Sequence, residues 1–190
     1  MKIYSLNTSI TLNIFGTFFI LILDYLTYID LLTSKHELII GSILIGFGII
    51  SIISLLYDIQ KNILLMKNNI DQLEFKQILF IFISNLLGFT MIYYGLYLIN
   101  PDNFYSSLSK DKNKQYFHIS TFINMFYLSF YNAITLGMND IYPKSLLCKF
   151  VLGIELIISL VITIFFINRI TDINIFNKNI NNTKLLNKRN

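Results

Sequence analysis

Four long and nearly uncharged apolar runs constrain this chain more than any other feature of its sequence. They cover residues 12–32, 38–57, 78–99 and 146–167. A helix needs about 20 residues to cross roughly 30 Å of hydrocarbon, and each run is near that length. Apolar residues make up 54% of the 190-residue chain, whereas charged residues make up only 14%. We therefore predict an all-α membrane protein with four transmembrane helices.

The positive charges favour a topology in which both ends of the chain lie on the cytoplasmic side. In that topology the inner segments carry nine Lys and Arg residues and the outer segments carry five, with Lys149 inside the fourth run. An excess of positive charge on the cytoplasmic side is the usual arrangement. We predict a multi-pass protein of the cell membrane. The net charge of +4 then reflects topology and contact with lipid headgroups, so the expected partner is the bilayer and not nucleic acid.

Residues 117–136 are apolar enough to form a fifth span, but they are more polar than the four runs. Their polar side chains are His118, Ser120, Thr121, Asn124, Ser129 and Asn132. Polar or non-helical chain at membrane depth is tolerated only where it is buried in protein or lines water. We predict a half-crossing helix followed by a re-entrant loop. A true fifth span is the alternative.

The most specific motif in the chain follows this segment directly. It reads Thr135-Leu136-Gly137-Met138-Asn139-Asp140. With Pro143 after it, the stretch resembles the pore loop of potassium channels, where a short pore helix precedes a Thr-Val-Gly-Tyr-Gly-Asp filter, a turn often ending in proline, and an inner helix. Glu155 followed by Ser159 is similar to the Glu-x-x-x-Gly pattern of many two-helix pore domains. The resemblance covers residues 99–170 and does not extend to the first two predicted helices.

The apolar runs and the resemblance together predict a domain organisation, and the resemblance implies an assembly. Residues 1–57 would form an N-terminal helix pair, 58–77 a cytoplasmic or interfacial amphipathic connector, 78–170 the pore domain and 171–190 a polar cytoplasmic tail. Because each chain supplies one pore loop, four chains are needed to close a filter, and the implied assembly is a homotetramer. The implied function is conduction of K⁺ or another monovalent cation, with no cofactor and no metal besides the permeant ion.

The implied selectivity filter consists of Thr135, Leu136, Gly137, Met138 and Asn139. Rings of backbone carbonyls from four chains would replace the hydration shell of the ion. Successive carbonyls point at the axis only when alternate residues adopt left-handed φ angles. Gly137 does so without penalty, and Asn139, at the family's second glycine position, tolerates this conformation well. Met138 replaces the family's tyrosine and carries no hydrogen-bond donor, so we expect the same filter path with softer support.

Support for the filter is expected from polar residues around it. Asp140 lies where the family's acid braces the loop, and Tyr131 or Asn132 on the pore helix are its possible partners. Glu155 lies inside the membrane, where a charged residue must face protein or water and be paired. We interpret it as a hydrogen-bonded acid behind the filter, with a role in gating or ion binding as the alternative. Ser159 stands where relatives have a flexible glycine and is the gating candidate.

Two other functions remain compatible with the sequence. A weakly selective or non-conducting channel relative would share the same fold. A five-span scaffold or accessory protein would follow if residues 117–136 cross the membrane. An enzyme is not expected, because the sequence places no paired catalytic carboxylates, no nucleophile with a base and no metal cluster at a common depth.

Overall fold

The computed structural model describes residues 11, 14–23, 36–67, 75–106, 119–134, 141–164 and 167. The helices in this part are α1 (Ile14–Leu23), α2 (Glu37–Lys67), α3 (Phe75–Ile99), α4 (Ile119–Ala133) and α5 (Leu146–Ile164). A 3₁₀ turn over Pro101–Asn103 follows α3, and two short strands, β1 (Phe104–Ser106) and β2 (Ile141–Pro143), pair with each other.

Three of the helices contain stretches that are long and apolar enough to cross a membrane. These stretches are Glu37–Gln60, Ile78–Ile99 and Leu146–Ile164. They coincide with the second, third and fourth apolar runs of the sequence, so the prediction of helices there is confirmed. The first run, 12–32, is described only in part, as the apolar ten-residue helix α1.

Helix α2 continues beyond its apolar stretch. It has 31 residues and ends at Lys67, which gives it a length of about 46 Å at 1.5 Å per residue. That exceeds the roughly 30 Å of hydrocarbon in a bilayer. The first half of the predicted connector, 58–77, is therefore a direct continuation of α2, and residues 68–74 lie outside the described part.

Helices α2 and α3 approach each other through glycines. A Cβ atom built on Gly41 would lie 2.7 Å from the carbonyl oxygen of Gly95, and one built on Gly48 would lie 2.7 Å from the carbonyl oxygen of Gly88. Small residues at membrane helix interfaces allow this kind of backbone contact. The two contacts are seven residues apart on each helix, so one face of α2 packs against α3 over two helical turns.

Helix α3 lies at the centre of the described structure. Within its apolar stretch 72% of the residues are buried, against 28% in α5. Helix α4 packs on α3 through an edge-to-face contact between Tyr94 and Phe122, whose ring centroids are 5.8 Å apart. At 15 residues α4 is about 22 Å long, too short to cross the hydrocarbon.

The strand pair joins the end of α3 to the start of α5. The strands are antiparallel, with Tyr105 opposite Tyr142, and the two exposed rings are stacked at 4.7 Å. The carbonyl oxygen of Asn103 accepts hydrogen bonds from the backbone amides of Lys144 (2.8 Å) and Ser145 (3.2 Å). The prediction of an all-helical chain did not include this pair, which holds the outgoing and returning segments side by side.

Candidate functional site

The motif residues Thr135, Leu136, Gly137, Met138, Asn139 and Asp140 lie outside the described residues. The structure describes the chain on either side of them. Before the motif, the amide of Ile134 donates to the carbonyl of Phe130 (3.2 Å) and closes the last turn of α4. After it, Ile141 begins β2 and is buried. The site is therefore built from the residues that hold these two ends.

A buried carboxylate lies at the centre of the site. Glu155 on α5 is 0% exposed. The hydroxyl of Tyr93 on α3 donates to its Oε2 atom (2.6 Å), and the Nδ2 atom of Asn132 on α4 donates to the same oxygen (2.6 Å). The hydroxyl of Ser129, also on α4, contacts Oε1. One side chain thus connects three helices.

The chemistry of these contacts explains how an acid is accommodated at membrane depth. An isolated carboxylate in hydrocarbon is costly and must be paired or hydrogen-bonded. The partners of Glu155 in the described part of the chain are neutral donors, and both of its oxygens are used. Hydrogen bonds to an ionised acceptor are stronger than those between neutral groups. The arrangement therefore stabilises the carboxylate and fixes the helices that carry the donors.

The two α4 donors also contact backbone carbonyls. Asn132 Nδ2 lies 3.2 Å from the carbonyl of Leu152, one turn before Glu155, and Ser129 Oγ lies 3.1 Å from the carbonyl of Leu86 on α3. Residues three apart share one face of a helix. The last turns of α4, which lead into position 135, are thereby tied to both α3 and α5.

The chain after the motif is held from the same place. Phe104 in β1 is 6% exposed, and its ring meets that of Tyr93 edge to face, with centroids 6.1 Å apart and an interplanar angle of 88°. Because β1 pairs with β2, this contact anchors the strand that begins at Ile141. Tyr93 is therefore connected to both ends of the 135–140 segment.

The gating candidate faces the neighbouring helix α3. Ser159, one turn beyond Glu155, is 0% exposed, and its hydroxyl oxygen accepts a hydrogen bond from Asn85 Nδ2 (3.0 Å). Its carbonyl accepts a hydrogen bond from the Thr163 hydroxyl (2.8 Å). The Oδ1 atom of Asn85 is buried and has no hydrogen-bond partner among the described residues. The Ser159 side chain thus forms a second polar contact between α3 and α5.

The remaining predicted support residue, Tyr131, is only partly buried. Its ring lies 6.0 Å from that of Phe130 and 6.3 Å from that of Tyr127, measured between centroids. Its predicted partner Asp140 lies outside the described residues. The other proposed partner of that acid, Asn132, directs its amide nitrogen to Glu155 and Leu152.

Four residues of the site were not identified from the sequence, and one of them is Asn85, the hydrogen-bond partner of Ser159. Tyr93 stands in an uncharged run and resembles an ordinary core aromatic, and Phe104 has no polar atom to attract notice. Ser129 did carry a signal, because with Asn132 it places two polar side chains on one face of an otherwise apolar helix opposite a buried acid.

Comparison with known proteins identifies the region that contains the site. A family model described as "Ion channel" matches residues 78–175, which is just over half of the chain and includes α3 from Ile78 onward, α4, α5 and the motif. The match begins at the first residue of the predicted pore domain and leaves α1 and α2 outside it. No curated protein and no solved structure matches the chain significantly.

Proposed function

Because the chain belongs to the ion-channel family of the potassium-channel pore type, we propose that it is one subunit of a homotetrameric cation channel. Its filter is formed by the backbone carbonyls of residues 135–139, and the permeant ion is K⁺ or another monovalent cation. The observation that carries the proposal is the position of the motif, inside the matched region and between a half-length helix and an apolar helix long enough to span.

The strand pair supports a re-entrant path for residues 107–140. Strand β1 follows the outer end of α3, and β2 directly precedes α5. Since the strands are hydrogen-bonded neighbours, the chain leaves and returns on one side of the membrane. A fifth span through α4 would carry the returning chain to the opposite side. The length of α4, about 22 Å, favours the same path.

With this path we propose an assignment for the four segments of the chain. Residues 78–170 form the pore domain, with α3 as the outer helix, α4 as the pore helix and α5 as the inner helix. Residues 1–57 contribute the N-terminal helices, of which α2 packs on α3. The connector 58–77 and the tail 171–190 lie in the cytoplasm, and the protein resides in the cell membrane.

The uncovered faces of α4 and α5 leave room for neighbouring copies in the proposed tetramer. A single chain contributes one loop, whereas a filter needs a closed ring of carbonyls. Large apolar side chains on α5 remain exposed in the single chain, among them Phe150 (69%) and Ile157 (64%), and Tyr127 on α4 is 49% exposed. Neighbouring copies around a fourfold axis would cover part of these faces.

The test is ion flux through the purified protein in liposomes. We expect tetramers that carry K⁺ faster than Na⁺. Equal fluxes would identify a weakly selective relative, and absence of flux in verified tetramers would refute conduction.

The four-span topology has its own test. The only cysteine of the chain, Cys148, is first replaced by serine. Single cysteines introduced as Lys2→Cys or Asn190→Cys should then react with membrane-impermeant thiol reagents from the same side of the membrane. Reaction from opposite sides would support the five-span scaffold.

A further inference from the structure

Two separate routes of contact meet at Tyr93, and they end on the two sides of the 135–140 segment. We propose that Tyr93 is a positioning residue that holds both ends of this segment in register. Its hydroxyl acts through Glu155 on the end of α4, and its ring acts through Phe104 on the strand pair. The importance of this role for conduction rests on the proposed function of residues 135–139 as a filter.

The first route consists of hydrogen bonds. Tyr93 donates to Glu155 Oε2 at 2.6 Å, and Asn132 donates to the same oxygen at 2.6 Å. Asn132 is three residues before the start of the motif. Because both donors share one acceptor atom, loss of the Tyr93 hydroxyl leaves Oε2 with Asn132 alone and Oε1 with Ser129, so the Asn132 contact loses the restraint that comes from α3.

The second route consists of packing. The rings of Tyr93 and Phe104 pack edge to face, and both residues are buried. Edge-to-face aromatic pairs contribute beyond the area they bury. Phe104 is opposite Pro143 in the strand register, so the contact lies two residues beyond the first residue of β2. The ring of Tyr93 therefore restrains the returning chain through Phe104.

The two routes are separable by chemistry, which makes the role testable. Tyr93→Phe removes the hydroxyl and keeps the ring. Tyr93→Leu removes both. Tyr97→Phe is the matched control, since it removes a tyrosine hydroxyl one turn further along α3 from a ring that is only half-buried. Phe104→Leu removes the aromatic contact with Tyr93 and keeps the Tyr93 hydroxyl. It replaces Tyr93→Leu in the experiment if that variant does not assemble.

The measurement is hydrogen exchange of two backbone amides in the purified full-length chain. The Ile134 amide closes the last turn of α4, and the Lys144 amide is bonded to Asn103 beside the strand pair. Tyr93→Phe should speed exchange of Ile134 about tenfold, a factor that equals 1.4 kcal/mol, and leave Lys144 unchanged. Tyr93→Leu, or Phe104→Leu in its place, should speed exchange of Lys144 by a similar factor.

The proposal is overturned if Tyr93→Phe leaves Ile134 at the wild-type rate, or if Tyr97→Phe accelerates both amides equally. The ratio of K⁺ to Na⁺ flux in the same variants supplies a readout that a purely structural role would not move. We expect this flux ratio to fall in Tyr93→Phe and to equal that of the wild type in Tyr97→Phe. A wild type without flux but with the expected exchange pattern would refute the channel function and leave the positioning role standing.

Discussion

The glycine contact between α2 and α3 makes a prediction whose size follows from the structure. In Gly95→Ala the new Cβ would lie 2.6 Å from the carbonyl oxygen of Gly41 and 2.8 Å from a side-chain carbon of Ile45. Neither distance is compatible with van der Waals radii. The side chain of Ile45 can rotate, but the carbonyl oxygen is part of a helix backbone. The two helices must therefore separate.

Overpacking of a well-packed contact costs about 1–3 kcal/mol. Alanine also has a higher helix propensity than glycine, which offsets part of that cost. The control that removes this offset is Gly46→Ala on α2, because a Cβ at Gly46 meets nothing within 4 Å. The propensity gain is common to both variants, so their difference isolates the steric cost. We expect Gly95→Ala to be less stable than Gly46→Ala by about 1–3 kcal/mol.

The assay is reversible unfolding of the purified chain in mixed micelles titrated with a denaturing detergent, followed by helix content. The expected result is a lower free energy of unfolding for Gly95→Ala and a value at or above wild type for Gly46→Ala. Equal stability of the two variants would refute the backbone contact. It would also remove the evidence that α2 packs on the pore domain through its glycines.

Three further predictions use the same titration. Gly48→Ala should destabilise the protein more than Gly88→Ala, although the two glycines face each other. A Cβ atom on Gly48 would lie 2.7 Å from a backbone oxygen, whereas the backbone atom nearest to a Cβ atom on Gly88 is 3.7 Å away. Equal losses of stability would contradict this geometry. Glu155→Ala should lower the free energy of unfolding by about 1–3 kcal/mol, because the buried Tyr93 hydroxyl loses its acceptor while Ser129 and Asn132 keep backbone carbonyls. Glu155→Gln should lower it less. A Glu155→Ala variant as stable as wild type would contradict the hydrogen-bond network. Ser159→Ala should lower the free energy of unfolding by about 1–3 kcal/mol, because it leaves the buried Asn85 amide nitrogen unpaired. Adding Asn85→Leu to this variant should recover most of that loss. Losses that simply add in the double variant would rule out the contact.

Hydropathy and length were sufficient to predict the helices that could span. Hydrocarbon thickness sets the length of an apolar run, and the runs at 38–57, 78–99 and 146–167 are helical in the described residues. The same reasoning placed the end of the second helix at residue 57, whereas α2 continues to Lys67. Hydropathy detects where hydrocarbon ends, and a helix can continue into water beyond that point.

The centre of the site was partly predictable. The intramembrane position of Glu155 indicated a paired acid, and Asn132 was named as a polar residue of the pore helix. The Tyr93 hydroxyl could not be assigned, because contacts between residues 62 apart in sequence depend on helix packing that periodicity does not specify. The strand pair was missed for a different reason, since three-residue strands are too short to show an alternating pattern.

Flux through wild type and Gly137→Ala, compared side by side in liposomes, tests the central claim most directly. The proposed filter needs a left-handed φ at this position, which alanine adopts only at a cost of about 1–2 kcal/mol in each of four chains. Gly46→Ala serves as the control for a glycine outside the pore domain. We predict K⁺ flux in wild type and Gly46→Ala, and loss of flux in Gly137→Ala with the tetramer intact. Wild-type flux in Gly137→Ala would contradict the assignment of residues 135–139 as the filter.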